Sequence, residues 1–385
     1  MSFLEVPRPD LEETLMSRAR GGAPVLLAGP PGAGKTTLLR SLGRRLESEG
    51  CAAVYLDLMA AASSPDRFVA AALEVLAADR FGPRLAEATA IRRLAAAGRE
   101  RGSEAVAALF DLWSSLKTAS GQSVVLLLDE ATEIRSLAYF PGLRLVHQPF
   151  AKALEARGGG TVLATSFPTL ARRLWSFEHV AVPPLSLAEV RALLPGVEGV
   201  AQAAERASFG WPRYVRAIAE SWRPGDDVAA AWAREMDLGG RLESACRHTY
   251  ESLLLRSRGY GISKAVLGAV AHEEGLNLTA LVVRLGRTPG AVRDYLQWLV
   301  GVDALRMVGK RYVYVDGLLR WWVRLYGRGS LPDGPELARA AREVLEPRDR
   351  PEPAPPPPRE APRPPEAEAA APAAPPRRDS LMEID

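Results

Sequence analysis

The chain has 385 residues, which as a soft prior means two domains or more, and 47% of them are hydrophobic, ample for a packed core. Its 49 basic and 46 acidic residues leave a formal net charge of +3, so no overall charge excess draws it to nucleic acid, and any basic surface must be local. Cys51 and Cys246 stand too far apart for metal or redox spacing and read as small buried thiols, and His147, His179, His248 and His272 are scattered without a metal constellation. The early residues are partly acidic and lack a signal-peptide core, and no apolar run is long enough to span a bilayer; a soluble cytoplasmic protein is the expectation.

In chain order, the apolar run Pro24-Val25-Leu26-Leu27-Ala28 reads as a buried parallel strand. Gly29-Pro30-Pro31-Gly32-Ala33-Gly34-Lys35-Thr36-Thr37 follows and fits G-x-x-x-x-G-K-[ST] in full, and Thr37 to Leu42 then opens a helix. Residue types supply the mechanics. Gly29, Gly32 and Gly34 let the backbone turn its N–H groups inward as a nest for anionic oxygens, and the positive end of the helix dipole points to the same place. Lys35 is expected to reach the β- and γ-phosphates of a bound triphosphate, and the Thr36 hydroxyl to bind Mg²⁺.

Further strands are expected at Ala53–Asp57, Ser123–Leu128, Thr161–Thr165 and His179–Val182, with helical patterns between them. One helix starts at Ser64-Pro65, where Ser can cap and Pro can fill the first turn, and buries Phe68, Val69, Leu73, Val75 and Leu76. Another covers about Glu104 to Lys117, with Leu109, Leu112, Trp113 and Leu116 on one side. This alternation predicts an α/β domain whose mostly parallel sheet has helices on both faces. The strand ending at Leu128 runs into Asp129 and Glu130. Charges are costly to bury unless paired or metal-bound, so this pair marks a Mg²⁺ site at the ligand crevice: Asp129 in the Mg²⁺ shell, Glu130 orienting or deprotonating the attacking water.

After Val182 the pattern becomes helical. Ser186-Leu187-Ala188-Glu189 is a capping box, Gly196 stands past the end of its helix, and helices to about Tyr250 suggest a lid. From about 251 to 328, helices at Lys264–His272, Asn277–Leu285 and Thr288–Val300 precede a hairpin of Ala304–Val308 and Arg311–Val315 turning at Gly309-Lys310. Three helices and a hairpin predict a winged helix-turn-helix. The tail, assigned to 329–385 and most plainly from Pro347, is rich in Pro, Ala, Arg and Glu and is expected to be mostly disordered. Its end, Ser380-Leu381-Met382-Glu383-Ile384-Asp385, reads equally as a docking peptide or as a terminus without a role.

These features together resemble the AAA-like P-loop ATPases of the signal-transducing (STAND) class, especially prokaryotic ATPases with a winged helix after the lid, relatives of the replication-initiator ATPases. The likeness covers about residues 1–328 and divides them into a nucleotide-binding domain (1–184), a lid (185–250) and a winged-helix domain (251–328). It implies that the Asp-Glu strand lies one place away from the phosphate-loop strand and that ATP binds between sheet and lid. Thr165-Ser166 falls where the family places a polar sensor of the γ-phosphate. Val180 to Ser186 is similar to the link into the lid, and Gly210-Trp211-Pro212 to a lid element. Arg213 falls near a sensor arginine, and Asp316 with Arg320-Trp321-Trp322 resembles the close of the winged helix.

The resemblance implies that Ser166 and Arg213 contact the γ-phosphate and close the lid, making ATP against ADP a conformational switch. Arg172 and Arg173 follow the sensor strand and are the candidates for an arginine finger in a homo-oligomer, although solvated surface residues are the favoured reading. Arg287, Arg293, Gln297, Lys310 and Arg311 would face outward from the winged helix and are the candidates for DNA contacts, against the alternative of a packing or protein-interaction module. Three functions stay open: a Mg²⁺-dependent ATPase that signals nucleotide state to a protein partner, an ATP-controlled DNA-binding initiator or regulator, and a nucleotide-binding adaptor that scarcely hydrolyses.

Overall fold

The computed structural model describes residues 6–76, 85–97, 101–118, 120–194, 198–257 and 259–346. Five parallel strands form its sheet: β1 (Pro24–Ala28), β2 (Ala53–Asp57), β3 (Val125–Asp129), β4 (Thr161–Thr165) and β5 (Glu178–Ala181), in the order β2-β3-β4-β1-β5. β4 therefore stands between the glycine-loop strand β1 and the carboxylate strand β3, which puts β3 two places from β1 and not the one place expected. The three central strands are buried at every position, whereas β2 alternates and β5 is partly exposed. That is why β1, β3 and β4 read as unbroken apolar runs.

Strand periodicity divides the core. Val25, Leu27, Val125, Leu127, Val162 and Ala164 face helices Pro9–Arg20 and Lys35–Ser48. Leu26, Leu126, Leu128 and Leu163 face helices Pro65–Glu74, Gly102–Ser114 and His147–Ala156. On this second face Phe68, Phe110, Trp113, Phe150 and Trp175 pack ring against ring with centroids 5.6–6.4 Å apart. Such pairs each add about 0.5–1.5 kcal/mol beyond the area they bury.

Several boundaries differ from expectation. β3 begins at Val125 and extends through Asp129, because Ser123 instead bridges Lys117. β5 is one residue earlier than expected, and the helix expected from Glu104 spans Gly102–Ser114. Ser64 sits at the N-cap of its helix but makes no side-chain capping bond. Cys246 is buried and Cys51 is half-buried.

Beyond β5 the chain is helical: Leu187–Leu193, Glu198–Ser208, Pro212–Ser221, Val228–Met236 and Arg241–Arg256. The Ser186–Glu189 capping box is formed; Gly196 lies outside the described residues. Helices Tyr260–His272, Leu278–Leu285 (capped by Asn277) and Pro289–Gly301 (capped by Thr288) come next, the last burying Val292, Leu296 and Leu299. β6 (Leu305–Val308) and β7 (Arg311–Tyr314) pair antiparallel around Gly309, whose φ of 61° suits a two-residue turn. Asp316 then caps helix Gly317–Tyr326.

One segment corrects the sequence reading. Within the stretch assigned to the tail from 329, residues Gly334–Leu345 form a helix with a complete Asp333–Glu336 capping box. Leu337, Ala340, Ala341 and Val344 repeat at helical spacing and bury against helices Val228–Met236 and Glu198–Ser208. The Pro-rich stretch from 347 and Ser380–Asp385 lie outside the described residues. No helix of the described residues is long and apolar enough to cross a membrane.

The sheet accepts helix Pro9–Arg20 closely because a glycine stands beneath its end. A Cβ at Gly160 would lie 1.6 Å from the Ala19 carbonyl oxygen. Gly160→Ala is therefore expected to lower stability by about 3 kcal/mol, read as a lower urea midpoint at unchanged slope.

Candidate functional site

The glycine loop joins β1 to helix Lys35–Ser48 at the carboxyl edge of the sheet. Gly32 and Gly34 have φ of 84° and 93°, a left-handed conformation that side chains resist and that turns successive N–H groups inward. A Cβ at Gly32 would also press on Arg213 at 2.9 Å, so the loop and the helical region meet through a glycine.

Lys35 is 4% exposed. Its ammonium donates to Gly29 O at 3.0 Å, Pro30 O at 3.1 Å and Ser166 Oγ at 2.8 Å, and lies 3.7 Å from Glu130 Oε1. Thr36 Oγ1 donates to Asp129 Oδ2 at 2.6 Å, and Glu130 N donates to Asp129 Oδ1 at 3.0 Å. Ser166, just past β4, donates its backbone N–H to Glu130 Oε2 at 3.0 Å and its hydroxyl to Oε1. Glu130 itself has φ of 45°, rare for a residue with a side chain, and such strain persists where neighbouring contacts fix it. Burial pushes the Glu130 carboxyl above the usual carboxylate range against the pull of Lys35, and burial pushes the Lys35 ammonium down against the pull of Glu130 and Asp129.

A cavity of about 590 Å³ opens over these groups, lined among others by Lys35, Thr36, Glu130 and Ser166 from the sheet side and by Arg213 and Arg216 from helix Pro212–Ser221. Arg213 N also donates to Gly32 O at 3.3 Å. The sequence-predicted Gly29, Pro30, Pro31, Gly32, Ala33, Gly34, Lys35, Thr36, Thr37, Asp129, Glu130, Ser166 and Arg213 thus converge on one crevice. Arg287, Arg293, Gln297, Lys310 and Arg311 line no part of it; all five are exposed on the helix–hairpin region. Arg172 and Arg173 are exposed on helix Pro168–Leu174, and Arg173 points toward Gly301.

Sequence reasoning missed several groups. Tyr55 of β2 donates to Asp129 Oδ2 at 3.0 Å, with the Arg40 guanidinium 5.2 Å over its ring; burial beside Asp129 pushes this phenol up, so it stays a donor. Arg8 reaches the cavity buried, bonded to Pro183 O at 2.7 Å, with Nη2 lacking a hydrogen-bond partner among the described residues. His248, Ser252 and Arg256 also line the cavity, from one face of helix Arg241–Arg256, and their i, i+4, i+8 spacing was the available signal.

Two further contacts tie the crevice to the helix–hairpin region. Tyr214, next to Arg213, donates to the buried Asp316 at 2.6 Å. Asp303, with φ of 56°, accepts from Thr169 N at 3.0 Å and Thr169 Oγ1 at 2.6 Å, capping the helix that follows Ser166.

A parallel sheet of this order, with a Lys-bearing glycine loop on one strand and a carboxylate pair two strands away, defines a P-loop NTPase fold. Residues 10–143 match the family model of the AAA ATPase domain. Among solved structures it is similar to a Walker-type ATPase of Pyrococcus abyssi, with 15% identity, 83% of this chain and 96% of that one covered, and a TM-score of 0.62. At that identity the likeness is one of fold. The ORC2 protein of Aeropyrum pernix (14% identity, 89% and 94% covered, TM-score 0.43) and Cdc6p of Pyrobaculum aerophilum (14%, 89% and 96%, TM-score 0.39) are more distant. No curated protein matches the chain.

Burial pushes the Asp303 carboxyl up to about 6, against the two bonds from Thr169. An unfolded aspartate titrates near pH ~4, so the folded state holds this proton more tightly. Asp303 is therefore expected to withdraw stability as pH rises from about 4 to about 6, and Asp303→Asn to flatten that window in urea unfolding measured across pH.

Proposed function

We propose that the protein is a Mg²⁺-dependent ATPase of the STAND type, with winged helix, that works as a nucleotide-driven conformational switch. The observation that carries the reading is the buried Lys35 ammonium, held at the mouth of a glycine nest by Gly29 O, Pro30 O and Ser166 Oγ and facing Glu130. A buried cation beside inward-turned amides suits a polyanion, and a triphosphate supplies oxygens at that spacing. Thr36 Oγ1 and Asp129, 2.6 Å apart, offer the hard oxygen donors that suit Mg²⁺ beside a phosphate. Bound there, the ion would neutralise phosphate charge.

The chain's own groups divide the remaining work. Lys35 leaves its carbonyl acceptors for the phosphate oxygens. Glu130, freed from that ammonium and raised by burial, takes up or orients the proton of a water set against the terminal phosphate. Ser166 lies between the two and reports the phosphate to helix Pro168–Leu174, where Thr169 meets Asp303. Arg213 comes to the same phosphate from the helical region, and its neighbour Tyr214 holds Asp316. Both routes run from the terminal phosphate to the helix–hairpin region, so ATP and ADP bind two arrangements differently, which is the requirement for a switch.

Lys35→Ala is expected to weaken binding of a fluorescent ATP analogue at least about 100-fold, since it removes the buried ammonium of the glycine loop. Glu130→Gln is expected to keep binding while steady-state phosphate release falls at least about 100-fold. Tight binding by the first variant, or unchanged turnover by the second, contradicts these roles.

A second reading rests on the exposed Arg287, Arg293, Gln297, Lys310 and Arg311, which suit an ATP-controlled DNA-binding initiator or regulator. It expects duplex binding at physiological salt that weakens steeply as salt rises and that neutralising Arg287 and Arg293 reduces. Absence of such binding in the ATP-loaded Glu130→Gln protein leaves a protein partner as the addressee.

A further inference from the structure

We propose that Arg256 is a contact to the terminal phosphate supplied within the same chain, and that its guanidinium is exchanged between that phosphate and Glu133. The inference rests on the reading of the cavity as an ATP site and adds to it a residue from a different helix.

Arg256 ends helix Arg241–Arg256 and lines the cavity that also holds Lys35, Glu130 and Ser166. Its Nη2 donates to Glu133 Oε1 at 2.8 Å, its Nη1 to Ser252 O at 3.3 Å, and its guanidinium carbon stands 5.0 Å from the centroid of the Phe167 ring. Both supports are neighbours of the reactive groups. Phe167 follows Ser166, and Glu133 lies one turn beyond Glu130, with its N–H on Glu130 O at 2.9 Å. The guanidinium is thus parked above the two segments that present Ser166 and Glu130.

The parking is exchangeable. The pair is partly desolvated, with side-chain exposures of 31% for Arg256 and 15% for Glu133, so it is not locked in the core. A terminal phosphate carries more charge than a carboxylate and three acceptor oxygens that match the guanidinium fork. Stacking on Phe167 leaves the N–H edge free to change acceptor while the plane stays in place. ADP has no third phosphate and leaves Arg256 on Glu133. ATP takes it, and with it the end of the helix that leads to Tyr260–His272. Glu133 acts in this scheme as the competitor of the third phosphate.

The competition gives a test in sign. The quantity is the ratio of affinities for ATPγS and ADP, each with Mg²⁺, by titration calorimetry on the full chain. Arg256→Ala is expected to lower the preference for ATPγS about tenfold, the worth of one charge-assisted hydrogen bond. Glu133→Gln is expected to raise it about threefold, and to have no effect in the Arg256→Ala background. If the pair were only a strut between two elements, both variants would lose the same strut and move the ratio the same way. That outcome, or no change in either variant, overturns the proposal; Glu133→Gln still decides it if Arg256→Ala does not fold. Failure of the wild-type protein to bind either nucleotide overturns the ATP-site reading itself and is seen before any variant is made.

Discussion

A cation buried at the end of the first strand is the constraint on which the site depends. Lys35 has left water, and its ammonium needs oxygen on every donor. The chain meets the need with two carbonyls of its own loop, Gly29 and Pro30, and with Ser166 from a strand more than a hundred residues on. Those partners fix where β1 and β4 must lie. They also bring Glu130 within ion-pair distance, since Ser166 holds its carboxylate by two bonds. Glycine loop, carboxylate strand and β4 are in this sense one electrostatic object, and a polyanion would satisfy the ammonium better than neutral carbonyls do.

That object extends into the helical half of the molecule through adjacent residues. Arg213 turns to the cavity and Tyr214 to Asp316, so one backbone step separates a cavity-lining cation from the cap of helix Gly317–Tyr326. On the other side the step from Ser166 to Thr169 ends on Asp303. Asp316 is buried and Asp303 half-buried, and a carboxylate withdrawn from water tolerates little displacement from its donors. Small movements at the cavity therefore have to be followed by the helix–hairpin region or be resisted by it.

Much of this was legible in the sequence. The glycine loop and Asp129-Glu130 were readable because both sit on central strands whose burial demands continuous apolar runs, and the motif context is local. Thr165-Ser166 and Arg213 were placed through family likeness; Ser166 and Arg213 line the crevice, whereas Thr165 is buried against Thr132. The helix Gly334–Leu345 was missed although its capping box and helical spacing are local signals; the proline-rich composition beyond it drew the boundary too early. Tyr55 and Arg8 were not legible, and helical spacing could show the face of Arg256 but not its role, since such roles depend on which neighbours the fold supplies. Tyr55 counts only because β2 lies beside β3, and Arg256 only because its helix returns over Phe167.

The central claim is most directly tested by a crystal structure with Mg²⁺ and a non-hydrolysable ATP analogue. The account predicts the triphosphate seated against the main-chain amides between Gly32 and Thr36, with Lys35 Nζ moved off Gly29 O and Pro30 O onto its β- and γ-oxygens. A nucleotide bound elsewhere, with Lys35 still on those two carbonyls and on Ser166, would contradict it.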